Sequence, residues 1–464
     1  MPDRPNTAPG RGRVRTTRLR SDRDGADVAT DALAQIPGGL GAPIVGHTLA
    51  FLRDARGLMD RKRERHGDVF KLRVLGRTNV LFLTPDANRH IYLDPDKIFS
   101  SQGGWSSSIG PLFRNGLMLR DFEDHHLHRR VMQQAFRRTA LEGYVIAIHR
   151  VIDRHLDDLG PGPVDIYRFM KRLTLDIAAD VFVGASLGPQ AQAVNNAFVA
   201  MMAASVTPLR LDLPLTPYRR GLQGRRRLDA IFGALVSERR DRPEAADLLS
   251  RLSHGRTESG KLLPTDEVVD HMVFLLLAAH DTTTATLAVL LYELARNPEW
   301  QKRVADEVAG LNGAEVTLEN HKTLTDTSNA MNEALRLSPP VPYSPREVLR
   351  DTVIEGFEIP KGTGVGSSSM VLHRHPKWWT DPDRFDPDRF APGRAEDKQH
   401  SHLFFPFGGG AHLCIGNHLA EVITKAVVAR LLVKHRLTAN PRDHVVIKPV
   451  PIPKPKSALM LTVN

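Results

Sequence analysis

The apolar and polar positions of the chain follow two different periods, which predict where strands and helices form. Between residues 69 and 84, apolar and polar residues alternate on either side of a glycine-containing turn at 75–77. An alternation of this kind predicts a β-hairpin. Short strand patterns with further glycine turns return at residues 351–371.

A helical period governs residues 122–310, where apolar side chains recur three and four positions apart. The longest helical pattern runs from Thr265 to Arg296 and ends at an Asn-Pro stop signal. Such a helix would extend about 45 Å, far enough to cross a domain. A last helix is predicted for residues 416–434, after a glycine-rich loop. The predicted fold class is therefore mainly α with a minor β lobe.

Composition separates a basic tail from one folded domain. Residues 1–24 contain seven Arg and three Asp, a net charge of +4 out of +10 for the chain. Residues 1–36 are predicted to form a disordered tail. A basic tail could bind nucleic acid or an anionic membrane. The simpler interpretation is a solvated leader, and nucleic acid is not an expected partner. Residues 37–464 are predicted to form a single domain, since no linker divides them. No secretory signal or transmembrane segment is recognised, and a cytoplasmic monomer is expected.

One cysteine is present in 464 residues, so neither an intramolecular disulfide nor a cysteine-ligated iron–sulfur cluster can form. Cys414 ends the run F-G-G-G-A-H-L-C-I-G at residues 407–416, just before a predicted helix. Glycines allow strained backbone angles and a close approach to a flat ligand. A helix N-terminus stabilises a thiolate, and a thiolate suits haem iron. By composition alone, a glycine-rich loop with a buried cysteine would also fit.

At every fixed position this run resembles the signature F-G-x-G-x-H-x-C-x-G of the cytochrome P-450 family. The resemblance implies the fold of that family, with the long helix crossing over haem b. It also implies that Cys414 ligates the iron, that Phe407 packs beside the thiolate and that His412 reaches a haem propionate. Gly408 and Gly416 are the remaining positions that we assign to cofactor binding.

Two further segments resemble structural motifs of the same family. Glu333 and Arg336 lie three residues apart on one helix face, where charges can pair. By itself such a pair would be an ordinary surface feature. Its position upstream of the cysteine loop resembles the E-x-x-R motif, and F-D-P-D-R-F at residues 385–390 resembles the segment that supplies its third member, Arg389. A structural role behind the haem loop is implied for all three.

Polar residues interrupt the long helix at A-A-H-D-T-T, residues 278–283. Threonine hydroxyls can bond to the preceding helical turn, so a locally satisfied kink is one interpretation. The segment resembles the family's oxygen-binding groove, which implies that Thr282 hydrogen-bonds dioxygen and that Asp281 helps to deliver protons through water. Ala279 stands where the family pattern most often has glycine.

Three histidines in H-H-L-H-R-R, residues 125–130, raise the possibility of a zinc site, but no cysteine or carboxylate lies at ligand spacing. The segment resembles the family helix whose His and Arg bind haem propionates, which assigns His125 and Arg129. Arg346 matches a third propionate-binding arginine. His126 and His128 are expected to face solvent.

The expected activity is a haem-dependent monooxygenase that uses dioxygen to hydroxylate a lipophilic substrate of the steroid, terpenoid or fatty acid class. Electrons from NAD(P)H are expected to arrive through a ferredoxin and its reductase, because the chain has no motif for binding a flavin or nicotinamide. Lys398, Arg129 and Arg130 are candidates for a basic docking face. The substrate pocket is expected to include the loop 101–118 and a set of apolar or small residues: Phe274, Ala278, Ala279, Val341, Ser344 and Ser369.

Two alternatives retain haem but change the chemistry: a peroxide-driven peroxygenase, and a non-catalytic haem sensor or carrier. The presence of both Asp281 and Thr282 favours dioxygen chemistry over either. Serine hydrolase and nucleotide-binding functions are excluded at the level of motifs, since neither G-x-S-x-G nor G-x-x-x-x-G-K-[ST] occurs.

Overall fold

The computed structural model describes residues 32–184, 189–207, 210–242, 247–257, 259–443 and 445–464. Most of them are helical. The α-helices are α1 (Thr48–His66), α2 (Pro85–Leu93), α3 (Ser101–Phe113), α4 (Phe122–Gln134), α5 (Arg138–Asp157), α6 (Ile166–Val183), α7 (Pro189–Ser205), α8 (Pro217–Arg240), α9 (Leu248–Ser253), α10 (Thr265–Leu276), α11 (Thr282–Arg296), α12 (Pro298–Ala309), α13 (Thr325–Leu337), α14 (Ser369–Leu372) and α15 (Asn417–Lys434).

The strands are short and form small sheets beside the helices. They are β1 (Val69–Val74), β2 (Arg77–Phe82), β3 (Phe99–Ser100), β4 (Gly162–Asp165), β5 (Ser344–Val348), β6 (Thr352–Ile354), β7 (Phe357–Ile359), β8 (Gly364–Ser367), β9 (Leu437–Thr438), β10 (Ile447–Lys448), β11 (Lys454–Pro455) and β12 (Met460–Val463). The largest sheet has the order β1-β2-β8-β5-β3. The mainly α fold with a minor β lobe is thus confirmed.

The predicted hairpin is present, with β1 and β2 antiparallel and Val74 opposite Arg77. Its turn contains Leu75 and Gly76, both with positive φ (52° and 77°), as a tight two-residue hairpin turn requires. The sheet then crosses from β2 to β8, which run parallel. This arrangement leaves only β8 between the hairpin and β5, although the hairpin and β5 are far apart in sequence.

The long helix from Thr265 to Arg296 is also present, but a π-helical segment at Leu277–Asp281 separates α10 from α11. Within the described residues it is the one helix long and apolar enough to cross a membrane, and 72% of its most apolar window is buried inside the fold. Its apolar character is therefore that of a core helix, around which the main hydrophobic core is packed.

Two boundaries differ from the sequence-based expectation. Residues 101–113 form helix α3 rather than a loop, because the Ser100 hydroxyl caps the helix by accepting the N–H of Gly103 at 2.7 Å. Residues 1–31 of the predicted tail lie outside the described residues. Leu33 and Ile36 are buried against the sheet, so the folded part of the chain includes residues that the sequence placed in the tail.

Candidate functional site

A cavity of about 440 Å³ lies between the long helix, the five-stranded sheet and the loop at residues 407–416. Its walls are mainly apolar. The predicted residues that line it are His125, Arg129, Phe274, Ala278, Ala279, Thr282, Val341, Ser344, Arg346, Ser369, Phe407, Gly408, His412, Cys414 and Gly416. The tertiary structure therefore brings together residues from five separate parts of the chain. Asp281 and the Glu333, Arg336, Arg389 set lie outside the cavity wall.

The cysteine loop is shaped by its glycines and by one backbone hydrogen bond. Gly408 and Gly410 have φ of 74° and 58°, a conformation that other residues rarely adopt. A Cβ at Gly410 would lie 1.8 Å from the Tyr92 carbonyl oxygen, so only glycine fits against helix α2. The N–H of Cys414 donates to the carbonyl of Phe407 at 2.9 Å, which closes the loop.

The Cys414 side chain is exposed to the cavity although the residue lies deep within the fold. Burial raises the pKa of this thiol, and the N–H of Gly416 and the charge of Arg129 offset that increase only in part. The N–H at the helix terminus therefore lowers the pKa of the thiol, as the sequence predicts, but desolvation is the larger effect. A coordinated metal ion deprotonates a thiol outright and would supply the missing stabilisation here.

Four basic side chains converge on the same wall: His125, Arg129, Arg346 and His412. The rings of His125 and His412 lie 4.0 Å apart between centroids, and both ring nitrogens of His125 are buried without a hydrogen-bond partner. Burial and the neighbouring arginines lower the pKa of His125 to about 4 and that of His412 well below 6.5. Within the described residues, no ion pair to a carboxylate joins any of the four.

Such a cluster is electrostatically incomplete, because buried cations and orphaned imidazole donors normally meet acceptors. A flat group that carries two carboxylates and one thiolate-binding iron would complete it, and haem b has that composition. The basic cluster would hold the propionates, and Cys414 would hold the iron. The residues present therefore fit haem b.

The π-helical segment places Thr282 on the cavity wall, where its hydroxyl donates to the carbonyl of Ala278. Thr286 donates to the carbonyl of Thr282 at 2.9 Å in the same way. Asp281 turns away from the cavity, with one carboxylate oxygen 3.4 Å from Lys171 Nζ and 3.3 Å from His280 Nδ1. Lys171 lies on α6, and nothing in the local sequence indicated that partner.

Glu333 holds two arginines in a fully buried cluster. Arg336 Nε and Nη2 donate to the two Glu333 oxygens at 2.7 and 2.9 Å, and Arg389 Nε donates at 3.1 Å. Arg389 also bonds to Glu396 at 2.7 Å, so two cations face two carboxylates. Arg336 further donates to the carbonyl of His373 at 2.8 Å. This pattern ties α13 to the segment that precedes the cysteine loop.

Two expectations about charged and histidine residues are corrected. His128 is buried rather than solvent-facing, because its Nδ1 is hydrogen-bonded to His271 Nε2 of α10 at 2.9 Å; His126 is exposed as expected. Arg129 lines the cavity and so cannot belong to an outer docking face, whereas Lys398 is 78% exposed. Within the described residues no cluster that could hold a metal ion was found among His, Cys, Asp and Glu, including at residues 125–128.

The comparisons with known proteins agree with this geometry. The family model named Cytochrome P450 matches residues 36–463. Cytochrome P450 136 of Mycobacterium tuberculosis is 39% identical over 89% of this chain and 85% of its own length. Abscisic acid 8'-hydroxylase 2 of rice is 31% identical over 90% of this chain and 84% of its own length. The solved structure of retinoic acid-bound cyanobacterial CYP120A1 superposes with a TM-score of 0.86, at 28% identity, and covers 92% of this chain and 99% of that one.

The match extends over almost the whole chain, and the cavity combines a thiol with a set of basic residues. The protein belongs to the cytochrome P450 family and is a haem-thiolate monooxygenase.

Proposed function

We propose that the protein hydroxylates a lipophilic substrate of the terpenoid class, rather than a steroid or fatty acid. The observation that carries the proposal is the cavity, in which an apolar wall, the Cys414 thiol and the Thr282 hydroxyl share one space. Two relatives point to the same class: the solved structure of CYP120A1 has retinoic acid bound, and the rice relative is named for abscisic acid, and both molecules are terpenoid acids. Apolar walls favour such carbon skeletons through burial of their surface.

The cofactor roles proposed for the site follow from its geometry. Cys414 would ligate the iron, with Phe407 and Gly416 beside it on the cavity wall. His125, Arg129, Arg346 and His412 would bind the propionates by charge-assisted hydrogen bonds. When bound, haem b supplies the activation of dioxygen by which one oxygen atom enters the substrate C–H bond and the other leaves as water, with the uptake of two electrons and two protons.

Proton supply is assigned to Thr282 and Asp281. The Thr282 hydroxyl reaches the cavity and can accept a proton on its oxygen as it gives one up. Asp281 lies one residue away on the outer side, next to Lys171, at a point where α6 meets the long helix. Asp281 would therefore take protons from outside the cavity and pass them through water towards Thr282.

Electrons are proposed to come from NAD(P)H through a ferredoxin and its reductase, in a cytoplasmic monomer with residues 37–464 as its catalytic domain. The family match over residues 36–463 supports that domain boundary. Lys398, Arg130 and their surroundings would form the contact surface for an acidic ferredoxin.

The test is an optical and kinetic one. The purified protein, reduced and exposed to carbon monoxide, should give the strongly red-shifted Soret band of thiolate-ligated haem. When a surrogate ferredoxin and its reductase supply electrons from NADPH, the protein should then hydroxylate a terpenoid substrate. Turnover with hydrogen peroxide alone would indicate a peroxygenase, and a thiolate spectrum without any turnover would indicate a sensor or carrier.

A further inference from the structure

We infer that the substrate carries a carboxylate and that Arg77 binds it. This inference rests on the proposed function and concerns the polar end of the same substrate. It starts from the charge of the cavity wall: among the described residues that line the cavity, three are arginines and none is Asp, Glu or Lys. Arg129 and Arg346 belong to the basic cluster at the cysteine loop. Arg77 remains, on the wall formed by the five-stranded sheet.

The register of β2 places Arg77 there. Side chains of a strand alternate between its two faces, so Arg77, Asn79 and Leu81 share one face, and all three line the cavity. Leu72 and Val74 of β1 line the same wall. An apolar surface therefore surrounds one guanidinium, which is the arrangement needed to hold the polar end of an otherwise apolar molecule.

The guanidinium is held in place and retains donors. It donates to the carbonyl of Gly103 on α3 and to a carboxylate oxygen of Glu347 on β5. These bonds use two of its five N–H groups. Asn79 donates to the Arg77 carbonyl at 3.0 Å, and the Tyr343 hydroxyl donates to Asn79 at 3.2 Å, so the strand beneath Arg77 is braced.

The other polar groups of the wall are less suited to a carboxylate. The hydroxyls of Ser101, Ser108, Ser205 and Ser369 each donate to a backbone carbonyl, at 2.8 to 3.0 Å. A carboxylate buried without a cation is strongly disfavoured in apolar surroundings. An acid can therefore enter this cavity if it shares the Arg77 guanidinium with Glu347, whose side chain is 32% exposed to solvent. An amine would meet no carboxylate on the wall.

The experiment compares retinoic acid with its methyl ester, using the holoenzyme, and measures affinity from the ligand-induced Soret shift and from the rise in Tm. Arg77→Gln should lower the affinity for the acid by about tenfold or more, the loss expected for charge-assisted hydrogen bonds, and change the affinity for the ester by less than about twofold. The affinity of Arg77→Lys for the acid should lie between those of Arg77→Gln and wild type. Glu347→Gln should bind the acid more tightly, because a competing carboxylate is gone.

Arg73→Gln is the matched control, because Arg73 lies on the same hairpin but does not line the cavity. The inference is overturned if Arg77→Gln lowers the affinities for acid and ester equally. It is also overturned if Glu347→Gln lowers the affinity for the acid as much as Arg77→Gln does. Either result would assign the pair a structural role. Loss of haem from Arg77→Gln would also overturn it, by making Arg77 a propionate ligand. If the wild-type protein lacks the thiolate spectrum, the proposed function is refuted before any retinoid is added. Failure of the proposed function is therefore distinguishable from failure of the Arg77 inference.

Discussion

The Cys414 thiol is subject to two opposing influences. Burial raises its pKa, and the Gly416 N–H and Arg129 lower it by less. The surroundings of Cys414 therefore favour the protonated thiol over the thiolate. Ligation of the haem iron would displace that proton, so the thiolate would depend on the cofactor as well as on the loop.

Cys414→Ser should abolish the red-shifted Soret band of the reduced carbon monoxide complex, because a hydroxyl is a far weaker ligand than a thiolate. The loop geometry should persist, since its closing bond is made by the backbone N–H of residue 414. The measurement is the difference spectrum together with haem content and Tm. A serine variant with the full wild-type spectrum would refute the ligand assignment.

Thr282→Ala removes a hydroxyl that the helix places on the cavity wall and that donates to the carbonyl of Ala278. We expect haem and substrate to bind normally while more NADPH is consumed per product and hydrogen peroxide accumulates. Thr286→Ala is the control, because this threonine also lines the cavity and also donates to a carbonyl of the preceding turn. Equal coupling in Thr282→Ala and wild type would show that this hydroxyl does not take part in proton supply.

At the scale of helices, the contact between α4 and α10 depends on a buried histidine pair. His128 and His271 are 2.9 Å apart, and burial lowers their pKa values to about 4 and about 3. Arg120, Asp124 and Glu267 surround the pair. Because α4 carries His125 and Arg129, this contact also fixes one side of the basic cluster in the cavity.

The pair should make stability fall with acid. When the pKa of a histidine is lower in the folded state, the unfolded chain binds the proton first as the pH falls. The contribution of that histidine to the free energy of unfolding is therefore complete above about pH 6.5 and is lost as the pH falls towards about 4. The slope is at most about 1.4 kcal/mol per pH unit for each histidine. Glu267, whose pKa is raised by burial, opposes the effect near the lower end of this range.

The measurement is the free energy of unfolding across that pH range for wild type and for a His128→Gln, His271→Gln double variant. The double variant should be less stable at neutral pH or equal to wild type, and should show a flatter pH dependence. An unchanged slope would mean that the pair is not the source of the acid sensitivity. His126→Gln is the matched control, since His126 is exposed on the same helix.

For the whole molecule, electrons must reach a site whose thiol lies on the wall of the cavity. Lys398, at 78% side-chain exposure, lies in the segment that leads to the cysteine loop, and Arg130 is exposed on α4. The chain has an excess of ten positive charges. Long-range attraction of an acidic partner is therefore expected to control the rate of docking.

The rate of reduction by an acidic ferredoxin should fall as ionic strength rises, because salt screens charges separated by more than about 10 Å at 0.1 M. Lys398→Gln should lower the rate at low salt, whereas Lys302→Gln, an exposed lysine on α12, should not. Stopped-flow reduction under carbon monoxide measures both. A rate that is independent of salt would argue against electrostatic docking.

The sequence by itself determined the features that depend on neighbouring residues. The period of the apolar positions predicted the hairpin and the long helix, and the glycines at 408 and 410 predicted a loop that only glycine can form. The family signature at 407–416 predicted the cofactor. Each of these is a local requirement of backbone conformation or side-chain spacing, so it can be recognised from adjacent positions.

Only the tertiary structure decided what depends on distant partners. His128 is buried because it packs against His271, which lies 143 positions further along the chain. Asp281 faces Lys171, which lies on another helix. Arg77 reaches the cavity because β2 pairs with β8 in one register and not in the register one residue away. Burial and charge pairing are properties of packed surfaces, and the packing of segments far apart in sequence cannot be read from either segment alone.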